Sequence, residues 1–300
     1  MEYWIFFVLF SSLIWSVTSF IDKIVISKGY VKNPFVYIVL NGLMNVLIIF
    51  VLPFVGIHTL SPLQTLIALA FGIFMSAGII AYYKAVEHDD ISKVVILFQL
   101  EPVIILILSF LFLKEKLSIG HFIGFVLILG AGFLVSYKKV NGSFKLNKAF
   151  YFMALSGVLT AIGYVTIKYV YQTTSFWNAF VWTRLANMAA MLVLFSPSVR
   201  KNFVLTYKKN KIGTKLLLVF KMIIDFLSFL VLGFALQSAP VSLVNVILTS
   251  SLPHFIFFMA IASSVFFPDL VREDMQAKSM VVKATAIVLI IAGIVFINAA

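Results

Sequence analysis

There is no cysteine in this chain. Disulfides, thiolate metal sites and cysteine nucleophiles are therefore excluded, and the sequence keeps no trace of the redox state of its compartment. Charge is also scarce. Only 11% of the 300 residues are Asp, Glu, Lys or Arg, against about a quarter in a soluble domain. No Gly-rich phosphate loop, HExxH or nucleophile elbow appears. No nucleophile and base stand close together in the pattern, so the chain does not read as an enzyme, and no cofactor is expected. "EHDD" (Glu87 to Asp90) has metal-like residue types, but its consecutive spacing in a loop reads as a solvated charge run, so no metal site is expected either.

What is abundant is apolar surface. The chain is 62% hydrophobic, with a mean hydropathy of +1.10. The surplus must face lipid, and membrane lipid is the first expected partner. Backbone groups in hydrocarbon must be satisfied within the structure, which allows helices or a closed barrel. The runs are continuously apolar rather than alternating in period two, so helices are expected. The net charge of +12 reads as Lys and Arg in loops against anionic headgroups. No basic helix with interleaved stacking aromatics argues for nucleic acid.

The pattern predicts ten membrane-spanning helices, near 3–22, 34–54, 64–86, 91–113, 119–137, 149–170, 176–195, 213–236, 241–267 and 280–299. The first begins "MEYWIFFVLFSSLIW", which lacks a basic lead and a small-residue cleavage site and reads as a retained span. The halves echo each other. "YYKAVEHDDIS" (82–92) and "LGFALQSAPVS" (232–242) match at an offset of 150. Each is followed by a span with an internal proline, Pro102 or Pro253, and each half closes on a glycine-bearing helix. A unit of five helices re-enters the membrane upside down. The expected fold is therefore all-α and integral to the membrane, ten transmembrane helices as two inverted five-helix repeats, residues 1–137 and 149–300, with 138–148 as linker. Inverted repeats are the recurrent plan of secondary transporters. Eighteen of the 23 Lys and Arg fall in odd-numbered loops and three in even ones. The positive-inside rule then puts the odd loops in the cytoplasm and both termini outside.

Polar residues inside the spans are the site candidates, because a charge at the centre of a membrane helix costs roughly 2.5–3.5 kcal/mol on insertion scales. Glu101 is the deepest carboxylate. It could carry a proton or pair with a cationic substrate group; the structural alternative is a hydrogen bond to a neighbouring helix. Pro102 and Pro253 free the carbonyls four residues earlier and are candidate hinges, or merely tolerated kinks. Lys221 and Asp225 are four apart on one helical face, either a neutral pair or a cavity-facing Asp that trades partners. Arg184 could bind an anionic group or pair with Asp225 or Glu101. His254 could titrate near neutrality or be a satisfied core histidine. Asn245, Gln99, Asn187 and Asn41 suit interhelical hydrogen bonds rather than ligand contacts. Trp15 and Tyr82 or Tyr83 are candidate cavity walls or members of interfacial belts.

The stretch "YYKAV" together with "LFQLEPVIILILSFLFLKEKLSIGHFIGFVLILGAGFLVS" resembles the EamA-type members of the drug/metabolite transporter superfamily. Glu101, Pro102, Glu115, Gly124 and Gly132 fall on the family pattern. In the second half Leu252–Pro253 replaces Glu-Pro, and Glu273 stands as counterpart of Glu115. The resemblance implies a cavity lined by spans one, three, four, six, eight and nine, hence by Trp15, Tyr82, Gln99, Glu101, Tyr164, Asp225 and Asn245. It also implies cytoplasmic termini, opposite to the charge count, and it lacks the arginine common early in span two, where Asn41–Gly42 stand. The expectation is a multi-pass cell-membrane protein, monomer or homodimer. It would export small metabolites (amino acids or related compounds) or drugs by alternating access, with protons as coupling ion. An uncoupled facilitator or lipid/metabolite permease, and a non-transporting receptor or assembly subunit, are the alternatives.

Overall fold

The computed structural model describes residues 3–31, 33–88, 100–136, 148–266 and 277–299. Among these there is no strand; the chain is a bundle of helices. In order they are α1 (Tyr3–Ser27), α2 (Pro34–Met44), α3 (Pro62–His88), α4 (Leu100–Leu108), α5 (Ile119–Ser136), α6 (Lys148–Thr173), α7 (Phe176–Met188), α8 (Pro197–Lys209), α9 (Ile212–Ser238), α10 (Val241–Phe266) and α11 (Ala277–Ala299). Helix α2 tightens into a 3-10 stretch over Asn45–Phe50, and α7 does the same over Ala189–Phe195. Helix α4 ends in a π-turn, Ser109–Leu113. Gln99, the linker residues 138–147, Asp89, Asp90 and Glu273 lie outside the described residues.

The helix starts are written locally. Asn33 caps α2 by accepting from Phe35 N at 2.8 Å, with Pro34 in the first turn where a missing N–H costs nothing. Before α3, Ser61 Oγ accepts from Gln64 N and Gln64 Oε1 accepts from Ser61 N, a capping box around Pro62. One element departs from the expectation. The polar stretch after the seventh span, expected as a loop, contains the helix α8. Ser196 precedes it, Pro197 sits in its first turn, and Val199 is its one buried residue.

Large apolar side chains are exposed all around the bundle, among them Phe6, Phe112, Ile119, Phe195 and Val288. Water would not tolerate such a surface, and lipid does. Among the described residues, five helical stretches are long and apolar enough to cross a membrane on length and composition: Pro34–Phe54, Pro62–Ala85, Phe150–Thr173, Phe176–Phe195 and Ile212–Ser238. The chain is a multi-pass membrane protein.

Between the helices, small and hydroxyl side chains permit close approach. Helix α1 packs on α9, where Ser11 and Ser228 meet Oγ to Oγ at 2.8 Å. Helix α3 packs on α6, where Ser156 Oγ donates to Gly78 O at 2.8 Å. These seams correspond: Gly78 and Ser228 are separated by the same offset of 150 seen between the two halves of the sequence. Other contacts are reciprocal too. Helix α1 packs on α10 as α6 does on α4, and α2 lies against the 3-10 stretch of α7 as α7 lies against that of α2. At the α5–α11 crossing, a Cβ on Gly124 would stand 2.6 Å from Gly293 O, and one on Gly293 would stand 2.9 Å from Gly124 O. Only glycine allows that backbone approach.

Candidate substrate cavity

Helix α9 carries Lys221 and Asp225 one turn apart, so both project from one face. Lys221 Nζ donates to Asp225 Oδ2 at 2.5 Å. The antiparallel packing of α1 on α9, fixed at the Ser11–Ser228 seam, brings Asp22 to the same place. Asp22 Oδ1 lies 3.4 Å from Lys221 Nζ, an ion pair outside hydrogen-bond geometry. Tyr37 of α2 hydrogen-bonds Asp22, and its ring centroid lies 5.3 Å from Lys221 Nζ. Tyr83 packs edge-on against Tyr37 at 4.9 Å, and Tyr82 stands beside Tyr83.

These groups line a cavity of about 290 Å³. At ~30 Å³ per water, that is room for about ten waters. Its other walls include Trp15, packed edge-on against Phe229 at 5.2 Å, together with Ser76, Asn41 and Asn187. The lining therefore comes from α1, α2, α3, α7, α9 and α10. Of the residues expected at the site, Trp15, Tyr82 and Asp225 are here. Asp22 was not foreseen: it stands at the predicted edge of the first span, where a charge is ordinarily solvated, and its partners lie on a distant helix. The spans implied by the resemblance also differ. Spans two and seven contribute to this cavity, whereas four and six do not.

Glu101 is buried, away from lipid, but it does not line this cavity. Its Oε2 accepts from Thr160 Oγ1 at 2.8 Å and its Oε1 from Asn245 Nδ2 at 3.0 Å, tying α4 to α6 and α10. Asn245 thus acts as the interhelical hydrogen-bond former expected of it. Tyr164 lies buried within electrostatic reach of both Glu101 and Arg184. Arg184 does not pair with Asp225 or Glu101. It is 1% exposed and boxed by Phe71, Phe180 and Phe229, with ring centroids 5.8, 5.5 and 4.5 Å away. Its Nε and Nη1 have no hydrogen-bond partner among the described residues. His254 is also off the cavity; its Nδ1 donates to Ser250 O at 2.8 Å. Pro102 is buried at the start of α4, and α10 continues through Pro253 without a break.

The opposite end of the bundle is closed by two crossed caps. Lys114, in the left-handed region at φ 55°, ends the π-turn and turns Glu115 toward α10. There Glu115 Oε1 accepts from Val241 N at 2.7 Å, and Oε2 accepts from Ser242 Oγ at 2.9 Å. Lys168 Nζ donates to Leu236 O and Ala239 O, at 2.5 and 2.6 Å, at the end of α9. An anion at a helix N-terminus and a cation at a C-terminus both complement the helix dipole.

Residues 2–137 match the model described as the EamA-like transporter family. Among 28 matching solved chains, one described as "Crystal structure of protein" is similar over 98% of this chain and 98% of its own, with a TM-score of 0.70 and 14% identity. At that identity it speaks for the fold alone. No curated protein matches.

Proposed function

We propose that this chain, whose residues 2–137 belong to the EamA-like transporter family, is a secondary active transporter of the cell membrane that carries a small molecule through the Asp22–Lys221–Asp225 cavity by alternating access. The observation that carries the reading is a charged, aromatic-walled pocket lined by helices of both halves within the bundle. Intramembrane charges facing a cavity mark substrate or ion pathways. The reciprocal helix contacts and the Gly124–Gly293 crossing support ten spans in two inverted five-helix repeats, 1–137 and 149–300, joined by 138–148. In such repeats the site lies at the interface and the halves rock around it. Outward transport of small metabolites or drugs is what the family resemblance implies. Pro102 and Pro253 remain the candidate flexing points.

For coupling we assign Glu101 as proton carrier. Thr160 has one hydroxyl hydrogen and three acceptors in reach: Glu101 Oε2, Ser156 O at 2.9 Å and Gly157 O at 3.3 Å. With Glu101 ionised, Thr160 donates to it. With Glu101 protonated, Glu101 donates to Thr160, whose own hydrogen turns to Ser156 O. Neither state orphans a Glu101 oxygen or the Thr160 hydroxyl, so the carboxyl can take and release a proton by turning hydroxyl hydrogens alone. An uncoupled facilitator would show no flux driven by a pH gradient; a proton-coupled carrier shows such flux, and Glu101→Gln abolishes it in proteoliposomes while the fold persists, whereas pH-driven flux that survives the substitution would remove the role of Glu101.

The natural absence of cysteine gives a clean test of alternating access. Ser19 lines the cavity, and Ser19→Cys would be the sole thiol. In sealed vesicles, a membrane-impermeant maleimide should label it from either face, each face protecting against the other. Labelling from one face only, under every pH and ligand condition tried, would overturn the transporter reading in favour of a receptor or assembly subunit.

A further inference from the structure

Among the described residues, three charged side chains share the cavity: two carboxylates, Asp22 and Asp225, and one ammonium, Lys221. With all three ionised the lining carries one uncompensated negative charge. The two carboxylates are not equivalent. Asp225 takes the short hydrogen bond from Lys221, its neighbour on the same helix. Asp22 holds Lys221 only at 3.4 Å, and its buried Oδ1 has no hydrogen-bond partner among the described residues. A buried carboxylate without its full complement of donors is costly, and a cation that supplies them binds well. Aromatic rings stand around that carboxylate. Tyr37 already presents its face to the Lys221 ammonium at 5.3 Å, and Trp15, Tyr82 and Tyr83 complete the wall. Ring faces attract ammonium groups.

We propose that the cavity selects an organic monocation, a compound with one ammonium group and an apolar body of about ten non-hydrogen atoms, and that Lys221 is the tethered stand-in for its ammonium. The inference rests on the cavity being the transport site, as proposed above. When the ligand arrives, its ammonium donates to Asp22 and Lys221 stays with Asp225. Two carboxylates then face two cations, and the uncompensated charge is gone. A carboxylate ligand would instead add a second negative charge. The guanidinium that would answer it, Arg184, lies behind Phe229 and does not reach the lining.

Isothermal titration of the full-length protein in detergent, with three phenylalkyl probes that differ in the charge of their polar end, tests this. 2-Phenylethylammonium should bind. 2-Phenylethanol and 3-phenylpropionate should bind at least about tenfold more weakly, the factor carried by one charge-assisted hydrogen bond. Asp22→Asn should lower the ammonium affinity by at least about tenfold, and Asp22→Glu should restore most of it. The double variant K221Q/D225N keeps a single carboxylate and removes the tethered competitor; it should bind the ammonium probe at least as tightly as the parent. The proposal is overturned if the carboxylate probe binds as well as the ammonium, or if Asp22→Asn leaves the ammonium affinity unchanged. It is equally overturned if a folded K221Q/D225N loses binding. If the double variant fails to fold, the Asp22→Asn and Asp22→Glu pair decides alone. Binding with this pattern together with one-faced labelling of Ser19→Cys would leave the cation site standing and remove transport; two-faced labelling with no ammonium preference would do the reverse.

Discussion

Glu115→Gln is the substitution that tests whether the far end of the bundle is a latch. Glu115 reaches from the turn after α4 to the first residues of α10, where it accepts from Val241 N at 2.7 Å and Ser242 Oγ at 2.9 Å, with Ser242 N further off at 3.5 Å. Glutamine keeps one oxygen, for Val241 N–H. Its amide can still donate to the Ser242 hydroxyl, which turns to accept. What disappears is the charge. A carboxylate at a helix N-terminus contributes about 0.3–1 kcal/mol when exposed and up to about 2 kcal/mol when partly buried. A charge-assisted hydrogen bond exceeds a neutral one by about 1 kcal/mol. Glu115 is half-buried, so we take about 2 kcal/mol, roughly a thirtyfold factor. If opening this end breaks the contact, the substitution favours the open state by that factor. The readout is the maleimide labelling rate of Ser19→Cys from the face bearing residues 114–118. We expect a rise approaching thirtyfold wherever the closed state is dominant in the parent. A labelling rate within twofold of the parent would refute the latch, whether or not the melting temperature moved; a melting shift alone would mean that Glu115 holds α10 in both states.

Two further substitutions bear on the packing. Arg184→Met removes a buried guanidinium whose unpaired groups cost about 1–3 kcal/mol, offset by ring contacts of about 0.5–1 kcal/mol each; the melting temperature in detergent should hold or rise by a few degrees, and a fall of more than about 5 °C would show that an unpaired charge is the wrong description. Gly124→Val puts two methyl groups where even a Cβ would stand 2.6 Å from Gly293 O, so α5 and α11 must separate at about 1–3 kcal/mol or more; an unchanged melting temperature would show that the two helices do not meet there.

The described helices were legible because each apolar run is long and bounded by polar or Pro-containing breaks; where both ends are described the structure moves them by only a few residues, and the expected start of the fourth span lies outside the described residues. The amphipathic α8 was not, because its polar composition hides a short pattern: Ser196, then Pro197 in the first turn, with Val199 and Phe203 four apart on the inward side. That signal was available. Glu101 was correctly placed inside the protein by the cost of charge in lipid. Its exclusion from the cavity could not be read from sequence, because it depends on Thr160 and Asn245 arriving from two other helices. Asp22 was missed for the complementary reason. At the edge of a span a carboxylate costs little on its own, and only the seam between α1 and α9 turns it inward.

The cation reading also constrains energetics. Asp22 near the end of α1, Tyr82 near the end of α3 and Lys221 near the start of α9 all lie toward the odd-numbered loops, which hold most of the Lys and Arg. If those loops are cytoplasmic, as the charge asymmetry argues, the site loads from the cytoplasm, as export requires. Moving one positive charge outward against a potential of 100 mV, negative inside, costs about 2.3 kcal/mol. An uncoupled facilitator would therefore concentrate such a ligand inside the cell rather than expel it. Exchange for one inward proton carries no net charge and removes that cost. Glu101, whose hydrogen bonds accept either protonation state, and the cavity carboxylates, which need one positive charge from elsewhere, supply the two halves of such an exchange. The cation proposal and the coupling proposal consequently support each other: an electroneutral exchange predicts flux of 2-phenylethylammonium that is driven by a pH gradient and indifferent to a potassium-diffusion potential, and flux that follows the potential would break the link between them.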